Sequence, residues 1–403
     1  MKDRRLFVQS SKTRVTVKNA SLGAAVLGGA IVLGLGLSYA STYNRTTTTT
    51  VPSPKKDLNT TSRTVIETDV KKSESSIFSA EKKTSVYSFG YNQYGQLMLG
   101  DVTDVFAPKR VNFNHETVCA VRAASKTSAL LTTKGHVFTA GSGLDGRLGT
   151  GITIPPLSAP DQTNPMQVQK LKDIVDVELG EFGGAAIDSV GKLFTWGRSW
   201  GGENGHSDAN PGLPDLVAHP NRIIQVSRGR QHLAFVDENG AVFSCGVGRE
   251  GALGLGSFSN VSVASRVRGE LENKVVRKVA CGRDTTFALT EDGQLFSWGN
   301  DDYGMLGLGK AERRVSEPRL ISSLSDTKIA QLSCGEGFAA AVSENGDLFM
   351  CGRGSDGQLA TGSRDDSSFF TRVLNLPGPV EKVSCGGGHV AALLKDGSLY
   401  VWG

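Results

Sequence analysis

The sequence lacks the short motifs that commonly mark metal and redox sites. Its six cysteines include no Cys-x-x-Cys pair, and its six histidines include no His-Glu-x-x-His pair. The 50 glycines follow no Gly-X-Y period, so a collagen-like chain is excluded. We therefore expect no catalytic residue, no bound metal and no cofactor, and we predict that the protein is not an enzyme.

The chain carries little net charge outside its first residues. Its formal net charge is +4, and residues 1–19 contain six basic side chains and one acidic side chain. The rest of the chain is therefore close to neutral and lacks the basic excess that binds the phosphates of DNA or RNA. We predict no direct binding of nucleic acid.

A five-residue motif that begins with Val or Leu and ends with Gly occurs seven times. It occupies residues 86–90, 137–141, 193–197, 242–246, 295–299, 348–352 and 399–403. The closing glycines are 49 to 56 residues apart. A period of this length is typical of units that bury apolar surface only by stacking against copies of themselves.

Each repeat contains further landmarks at constant distances from its closing glycine. Asn-Gly and Asp-Gly pairs, which favour tight hairpin turns, lie at 239–240, 292–293, 345–346 and 396–397. Cys-Gly pairs lie at 281–282, 334–335 and 385–386, and Gly-x-Leu-Gly-x-Gly loops lie at 251–256 and 304–309. Short runs of strand-forming residues separate these landmarks, so each repeat offers about four strands, as one propeller blade does. We expect the repeated cysteines to be reduced, buried thiols.

The order of these landmarks over residues 85–403 resembles the repeat of the regulator of chromosome condensation. The resemblance implies a β-propeller, which has seven blades in that family. The predicted fold class is all-β, a propeller of six to seven four-stranded blades with seven favoured. Only six complete intervals separate the seven closing glycines. Either the ring has six blades, or residues near 77–80 supply degenerate strands of a seventh, or the sequence stops short of the ring's end.

Residues 20–40 form an uncharged apolar run that is long enough to cross a bilayer as a helix. We predict a transmembrane helix over these residues. The basic segment at 1–19 is typical of a mitochondrial targeting sequence, so we expect a mitochondrial membrane location, with the inner membrane favoured. A secretory signal peptide or an uncleaved signal anchor, and thus a secretory-pathway membrane, is the alternative.

Residues 41–80 contain 17 Ser or Thr residues together with Pro52 and Pro54. Such a segment has too little apolar surface to offset the entropy lost on ordering, so we predict a flexible linker. The propeller is then expected over residues 81–403.

The pattern Gly-x-Gly-x-x-Gly occurs three times, at 141–146, 246–251 and 352–357. None is followed by a helical pattern whose amino terminus would hold a pyrophosphate. We interpret the three matches as products of the repeat, not as dinucleotide sites.

The third repeat departs from the common loop pattern at residues 198–206. Arg and Trp are favoured at the centres of protein interfaces, and this stretch contains both. We therefore predict a partner contact through Arg198, Trp200, Glu203 and His206. The alternative interpretation is a diverged loop in which Trp200 packs on its neighbour.

These features together predict a non-enzymatic, membrane-anchored propeller whose loops bind protein partners. The resemblance to membrane-anchored mitochondrial members of the family suggests help in assembling a respiratory or other mitochondrial complex. The alternative function, implied by the family's namesake, is guanine nucleotide exchange on a small GTPase.

Overall fold

The computed structural model describes residues 84–151, 160–206, 212–309 and 312–403, together with the backbone of four strands in the first 35 residues. The predicted linker at 41–80 lies outside the described residues. Apart from three short 3-10 turns, the described secondary structure is entirely β-strand, which confirms the all-β class. The turns lie at Gly269–Leu271, Asp302–Gly304 and Ser322–Leu324.

The described strands form seven sheets, six of which contain four antiparallel strands. The first contains β3 (Leu22–Leu27), β4 (Ala30–Leu35), β5 (Ser85–Gly90) and β6 (Val105–Arg110). The second contains β7 (Val118–Ala123), β8 (Thr127–Thr132), β9 (Val137–Gly141) and β10 (Gln162–Gln167). The third contains β11 (Ile174–Leu179), β12 (Gly183–Asp188), β13 (Leu193–Gly197) and β14 (Asp215–Val217).

The fourth to sixth sheets repeat the same strand order. The fourth contains β15 (Ile223–Arg228), β16 (His232–Asp237), β17 (Val242–Gly246) and β18 (Val261–Arg266). The fifth contains β19 (Val276–Cys281), β20 (Thr285–Thr290), β21 (Leu295–Asn300) and β22 (Arg314–Leu320). The sixth contains β23 (Ile329–Cys334), β24 (Phe338–Ser343), β25 (Leu348–Gly352) and β26 (Ser367–Arg372).

The remaining sheet combines strands from both ends of the sequence. It contains β27 (Val380–Cys385), β28 (Val390–Leu394) and β29 (Leu399–Trp402), followed by β1 (Arg4–Val8) and β2 (Thr13–Val17). β1 pairs with β29 in parallel, with Leu6 opposite Leu399. This sheet therefore has five strands, and a ring of seven four-stranded blades is not supported.

The first strand of each four-stranded sheet contacts the first strands of neighbouring sheets, and β27 contacts β3 and so closes the ring. These inner strands surround a central cavity of about 330 Å³, which residues of β7, β11, β15, β19, β23 and β27 line. The architecture is a β-propeller, as the repeat pattern predicts.

The predicted transmembrane helix over residues 20–40 is wrong where the structure describes them. Leu22–Leu27 and Ala30–Leu35 are paired antiparallel strands, and the second continues onto β5 with Gly34 opposite Val86. No helix among the described residues is long and apolar enough to cross a membrane. Apolar content and length do not distinguish one spanning helix from two paired strands. The Gly-Gly pair between the strands was the available signal, since two-residue hairpin connections favour glycine.

In most blades, a buried hydroxyl of the closing motif bonds the blade to its own loop. In five blades a Ser or Thr of the third strand donates a hydrogen bond of 2.6 to 2.8 Å to the carbonyl nine residues later. In the fifth blade the donor is Ser297 and the acceptor is Leu306. The sixth blade has buried Met350 at the position of this hydroxyl.

The cysteines are free thiols, as the absence of paired spacing predicts. Five of the six are buried or half-buried, and Cys119 is exposed. Burial raises the pKa of Cys245, Cys281 and Cys385 to about 12, so these thiols stay protonated at neutral pH.

Candidate interaction site on the loop face

Two sets of connections lie on one face of the propeller, which we call the loop face. The first set joins the inner strand of each blade to the second strand, as residues 180–182 do. The second leads from the third strand towards the outermost strand, as residues 198–206 do. In the third blade the two sets touch, because the backbone N–H of Arg198 donates a 3.0 Å hydrogen bond to the carbonyl of Phe182.

Three side chains form a stack on this face. The guanidinium carbon of Arg198 lies 3.3 Å from the ring centroid of Phe182 and 4.2 Å from that of Trp200. Trp200 is 78% exposed, which is unusual for a tryptophan. The arrangement therefore presents a large aromatic ring to solvent with a cation held behind it. We call these three residues the Arg198 stack.

The Arg198 side chain makes no hydrogen bond or ion pair with the residues that the structure describes, and its Nε is buried without an acceptor. Burial lowers the pKa of Arg198, although a guanidinium stays charged at neutral pH. Asp145, Glu203 and Glu181 all act on Arg198 through their charges. Oε2 of Glu203 accepts a hydrogen bond from the N–H of Gly201, and its Oε1 is buried without a donor. Asp145 contacts Arg147 at 2.9 Å, and Glu181 contacts Arg230 at 3.0 Å.

A buried arginine forms hydrogen bonds that hold the 198–206 loop in place. Arg228 occupies the position of the repeated cysteines, and it donates to Oδ1 of Asn204 at 2.8 Å and to the carbonyl of Gly184 at 3.2 Å. Asn204, itself fully buried, donates through Nδ2 to the carbonyl of Gly197 at 2.9 Å. Asn204 stands where other repeats have leucine, so the two departures from the repeat compensate each other.

The other two predicted contact residues lie deeper than Trp200. Glu203 is only 1% exposed, and its Oε2 accepts a 2.7 Å hydrogen bond from the N–H of Gly201. A ring nitrogen of half-buried His206 lies 2.9 Å from the hydroxyl of Thr195. The structure thus brings Arg198 and Trp200 together at the surface and gives Glu203 a position inside the loop.

The loop packs closely against the next blade. A Cβ added to Gly202, whose φ is +87°, would lie 2.4 Å from Cα of Ser262, so only glycine fits there. A cavity of about 400 Å³ remains between the two elements, lined by Ser199, Trp200, Gly201, Gly202, His206, Asn260 and Ser262. The loop and the neighbouring blade are therefore in direct contact at Gly202 and Ser262.

Residues 197–201 also match the Gly-x-Ser-x-Gly pattern of serine hydrolases. Ser199 follows a strand but precedes a loop, and its hydroxyl accepts a 3.1 Å hydrogen bond from the N–H of Asn204. The nearest imidazole, that of His206, contacts Thr195. The hydroxyl of Ser199 therefore helps to hold the loop in its conformation.

The central cavity contains a second group of charges. Arg122 contacts Glu178 at 2.7 Å and Asp176 at 2.9 Å, which raises the pKa of Arg122. Burial raises the pKa of Glu178 and lowers that of Lys278. Lys278 donates to the carbonyl of Leu332 at 3.0 Å, so each charge has a partner and the group joins neighbouring inner strands. Among the described residues, no three potential metal ligands converge.

Sequence reasoning identified Arg198 and Trp200 but missed Phe182 and Arg228. Phe182 follows the inner strand of the same blade, and nothing in its local sequence indicates that it lies under Arg198. Arg228 was detectable, because it replaces cysteine in an otherwise regular Cys-Gly turn.

Comparison with known proteins gives a consistent picture. The profile of the RCC1-like domain matches residues 85–403. The mouse E3 ubiquitin-protein ligase HERC2 is 30% identical over 331 residues, covering 79% of this chain. The ultraviolet-B receptor UVR8 of Arabidopsis thaliana is 33% identical over 309 residues, covering 74% of this chain and 67% of UVR8. The match spans only 7% of the length of HERC2.

A partial match and a solved structure complete the comparison. The mouse RCC1-like G exchanging factor-like protein is 33% identical over 189 residues, which cover 45% of this chain and 41% of that protein. The crystal structure of human WBSCR16 has a TM-score of 0.74 at 21% identity and covers 95% of this chain and 89% of its own. That structural likeness concerns the fold.

Proposed function

The chain belongs to the family of proteins with an RCC1-like domain, and from this premise we propose that it is a non-catalytic propeller whose loop face binds a protein partner. The observation that carries the proposal is Trp200, which is exposed on a loop that Arg228 and Gly202 hold in place. Exposed Trp and Arg at a rigid site are the residue types that dominate interface energies.

Site-specific photo-cross-linking tests this proposal. A benzophenone amino acid at position 200 should capture a partner when the protein is expressed in its native cells. Val190 is the matched control, because it is 59% exposed on the hairpin between the second and third strands of the same blade, on the opposite face. Capture at both positions alike, or at position 190 alone, would contradict a partner site on the loop face.

A second candidate function is guanine nucleotide exchange on a small GTPase. The similarity to the mouse RCC1-like G exchanging factor-like protein favours it. The chain would act by contact alone, since the loop face need only displace a bound nucleotide. Release of a fluorescent GDP analogue from a panel of purified small GTPases tests the activity. If Trp200→Ala releases the nucleotide as fast as the wild type, any exchange activity does not depend on the Arg198 stack.

A mitochondrial location remains a proposal, which the basic composition of residues 1–19 supports. A role in complex assembly also remains a proposal. The membrane anchor is not retained, because β3 and β4 occupy the segment to which it was assigned. Cleavage of a presequence after residue 35 would remove β1 to β4 from two sheets. We therefore expect imported protein to keep its amino terminus. Mass spectrometry of the terminus, combined with cross-linking in isolated mitochondria, tests both points.

A further inference from the structure

Two aromatic rings lie against the guanidinium of Arg198. Its carbon is 3.3 Å from the ring centroid of Phe182 and 4.2 Å from that of Trp200. Aromatic stacking does not satisfy the N–H groups of a guanidinium, which point outward in its plane and require hydrogen-bond acceptors.

Among the described residues, no acid forms a close ion pair with Arg198, although the charges of Asp145, Glu203 and Glu181 act on it. Asp145 is paired with buried Arg147, and Glu181 is paired with Arg230. The equivalent residue of the sixth blade, Arg353, follows its closing glycine in the same way, but it contacts Asp356. The equivalent arginine of the sixth blade thus has an ion-pair partner within its own blade, whereas Arg198 has none among the described residues.

We propose that Arg198 binds a carboxylate side chain of a partner protein, whose apolar neighbours lie against Trp200. This inference rests on the proposed partner-binding function and specifies its chemistry. A carboxylate matches the guanidinium edge because it accepts two parallel hydrogen bonds in one plane. The 78% exposed ring beside it supplies the apolar contact that shields such a pair from water.

The surroundings favour a carboxylate over a phosphate group. A dianionic phosphate is usually held by several cations, whereas Arg147 and Arg230 are already paired with acids. Asp145, Glu203 and Glu181 lie close enough to influence the pKa of Arg198, so they would repel a dianion more strongly than a monoanion. A carboxylate brings only one negative charge to the Arg198 guanidinium.

The site is organised before a partner arrives. The N–H of Arg198 is bonded to Phe182, Glu203 receives the N–H of Gly201, and Arg228 holds Asn204. Because the loop is already ordered, little conformational entropy is lost on binding. The free energy of the contacts is then offset less, and the affinity is higher.

Fluorine NMR of the protein labelled with 5-fluorotryptophan tests the proposal. The chain has four tryptophans, of which Trp196 and Trp298 are fully buried, and Trp200→Phe assigns the signal of Trp200. The probes are three soluble peptides of the same length with leucine flanked by glutamate, by glutamine or by phosphoserine. We expect a saturable shift of the Trp200 signal with the glutamate peptide, and at least about tenfold weaker binding of the other two.

Variants separate recognition of the carboxylate from general charge effects. Arg198→Gln should weaken binding of the glutamate peptide at least about tenfold, and Arg198→Lys should weaken it less because the charge remains without the planar fork. Arg353→Gln is the matched control and should leave the affinity unchanged. Thermal unfolding of each variant checks that it is folded.

Several outcomes would overturn the carboxylate site. One such outcome is the absence of any shift of the Trp200 signal up to about 10 mM glutamate peptide, a concentration at which even millimolar binding would be seen. The others are equal affinity for the glutamine peptide, tighter binding of the phosphoserine peptide, and unchanged affinity in Arg198→Gln. A shift that depends on protein concentration alone would indicate a second copy of this chain instead. A partner captured at position 200 whose binding ignores Arg198→Gln would preserve the proposed function while refuting the carboxylate.

Discussion

The indole N–H of Trp298 donates a 2.9 Å hydrogen bond to the carbonyl of Ala252, which lies in the loop of the preceding blade. Trp196 and Trp402 make the same contact to Arg147 and Gln358, at 3.0 and 2.8 Å. In these three blades, the tryptophan of the closing motif therefore links its blade to the preceding one. It pairs with its own sheet through the backbone and with the neighbouring loop through the indole N–H.

Removing this link should destabilise the propeller. Trp298→Phe keeps an aromatic ring but loses the donor, and Ala252 keeps one bond, from Thr286. We expect a loss of about 1–2 kcal/mol in the free energy of unfolding, measured by urea denaturation. Trp200→Phe is the control and should change stability by less than about 0.5 kcal/mol because the ring is exposed. Equal losses in the two variants would contradict the role assigned to the inter-blade bond.

Arg228 and Asn204 should behave as a coupled pair. Restoring the repeat residue at one position only, by Arg228→Cys or Asn204→Leu, leaves the other side chain buried without its 2.8 Å partner. Each single variant should lose about 2–3 kcal/mol. The double variant should lose less than the sum by about 1–2 kcal/mol in a double-mutant cycle. Additive losses would show that the Arg228 and Asn204 side chains are not energetically coupled.

Stability should fall in mild acid through His232. Burial lowers the pKa of this histidine to about 4, and its ring lies 2.9 Å from the hydroxyl of Thr286. The unfolded chain, with a pKa of about 6.5, then binds the proton first as the pH falls. The contribution of His232 is complete above pH 6.5 and is lost between pH 6.5 and 4, by roughly 3 kcal/mol in total.

The comparison of the wild type with His232→Gln isolates this term, since the variant has no titratable group there. The difference in unfolding free energy between pH 7.5 and 5 should be smaller in the variant. An identical pH profile for both proteins would mean that other groups cause the acid sensitivity.

Two glycines with similar backbone angles should differ in their tolerance of alanine. Gly202 has φ +87° and Gly357 has φ +82°, so both substitutions cost about 1 kcal/mol from the left-handed conformation. Only at Gly202 does the added Cβ meet backbone, at 2.4 Å from Ser262, whereas nothing lies within 4 Å at Gly357. Gly202→Ala should therefore lose at least about 2 kcal/mol more by thermal unfolding. Similar melting temperatures would argue against close packing of the 198–206 loop.

Much of the blade could be read from local residues. The turn at Asp292 and Gly293 joins β20 to β21, as the Asp-Gly pair predicts, with Leu289 opposite Leu295. The segment at residues 22–35 was misread, because a run of apolar residues is compatible with a helix in lipid and with strands in a protein core. Which of the two forms depends on whether an edge such as β5 is available, and local sequence does not report that.

In the candidate site too, the sequence predicted some features of single side chains and not others. Trp200 and Arg198 stood out because they interrupt a regular pattern. Glu203 interrupts it as well, yet it lies inside the loop and bonds to Gly201. A departure from a repeat marks a position that has changed, and only the packing around it shows whether the new side chain points to solvent or inward.

By itself the sequence determined the repeat unit, its turns and its all-β propeller fold, because these follow from period, turn residues and strand propensity along a short stretch of chain. Only the tertiary structure decided that Phe182 and Trp200 enclose Arg198, that Arg228 braces Asn204, and that β3 joins β27 and β7 in the ring. Each of these contacts joins residues from separate strands, loops or blades. Their energies depend on distances that the closed ring sets, and no local pattern encodes those distances.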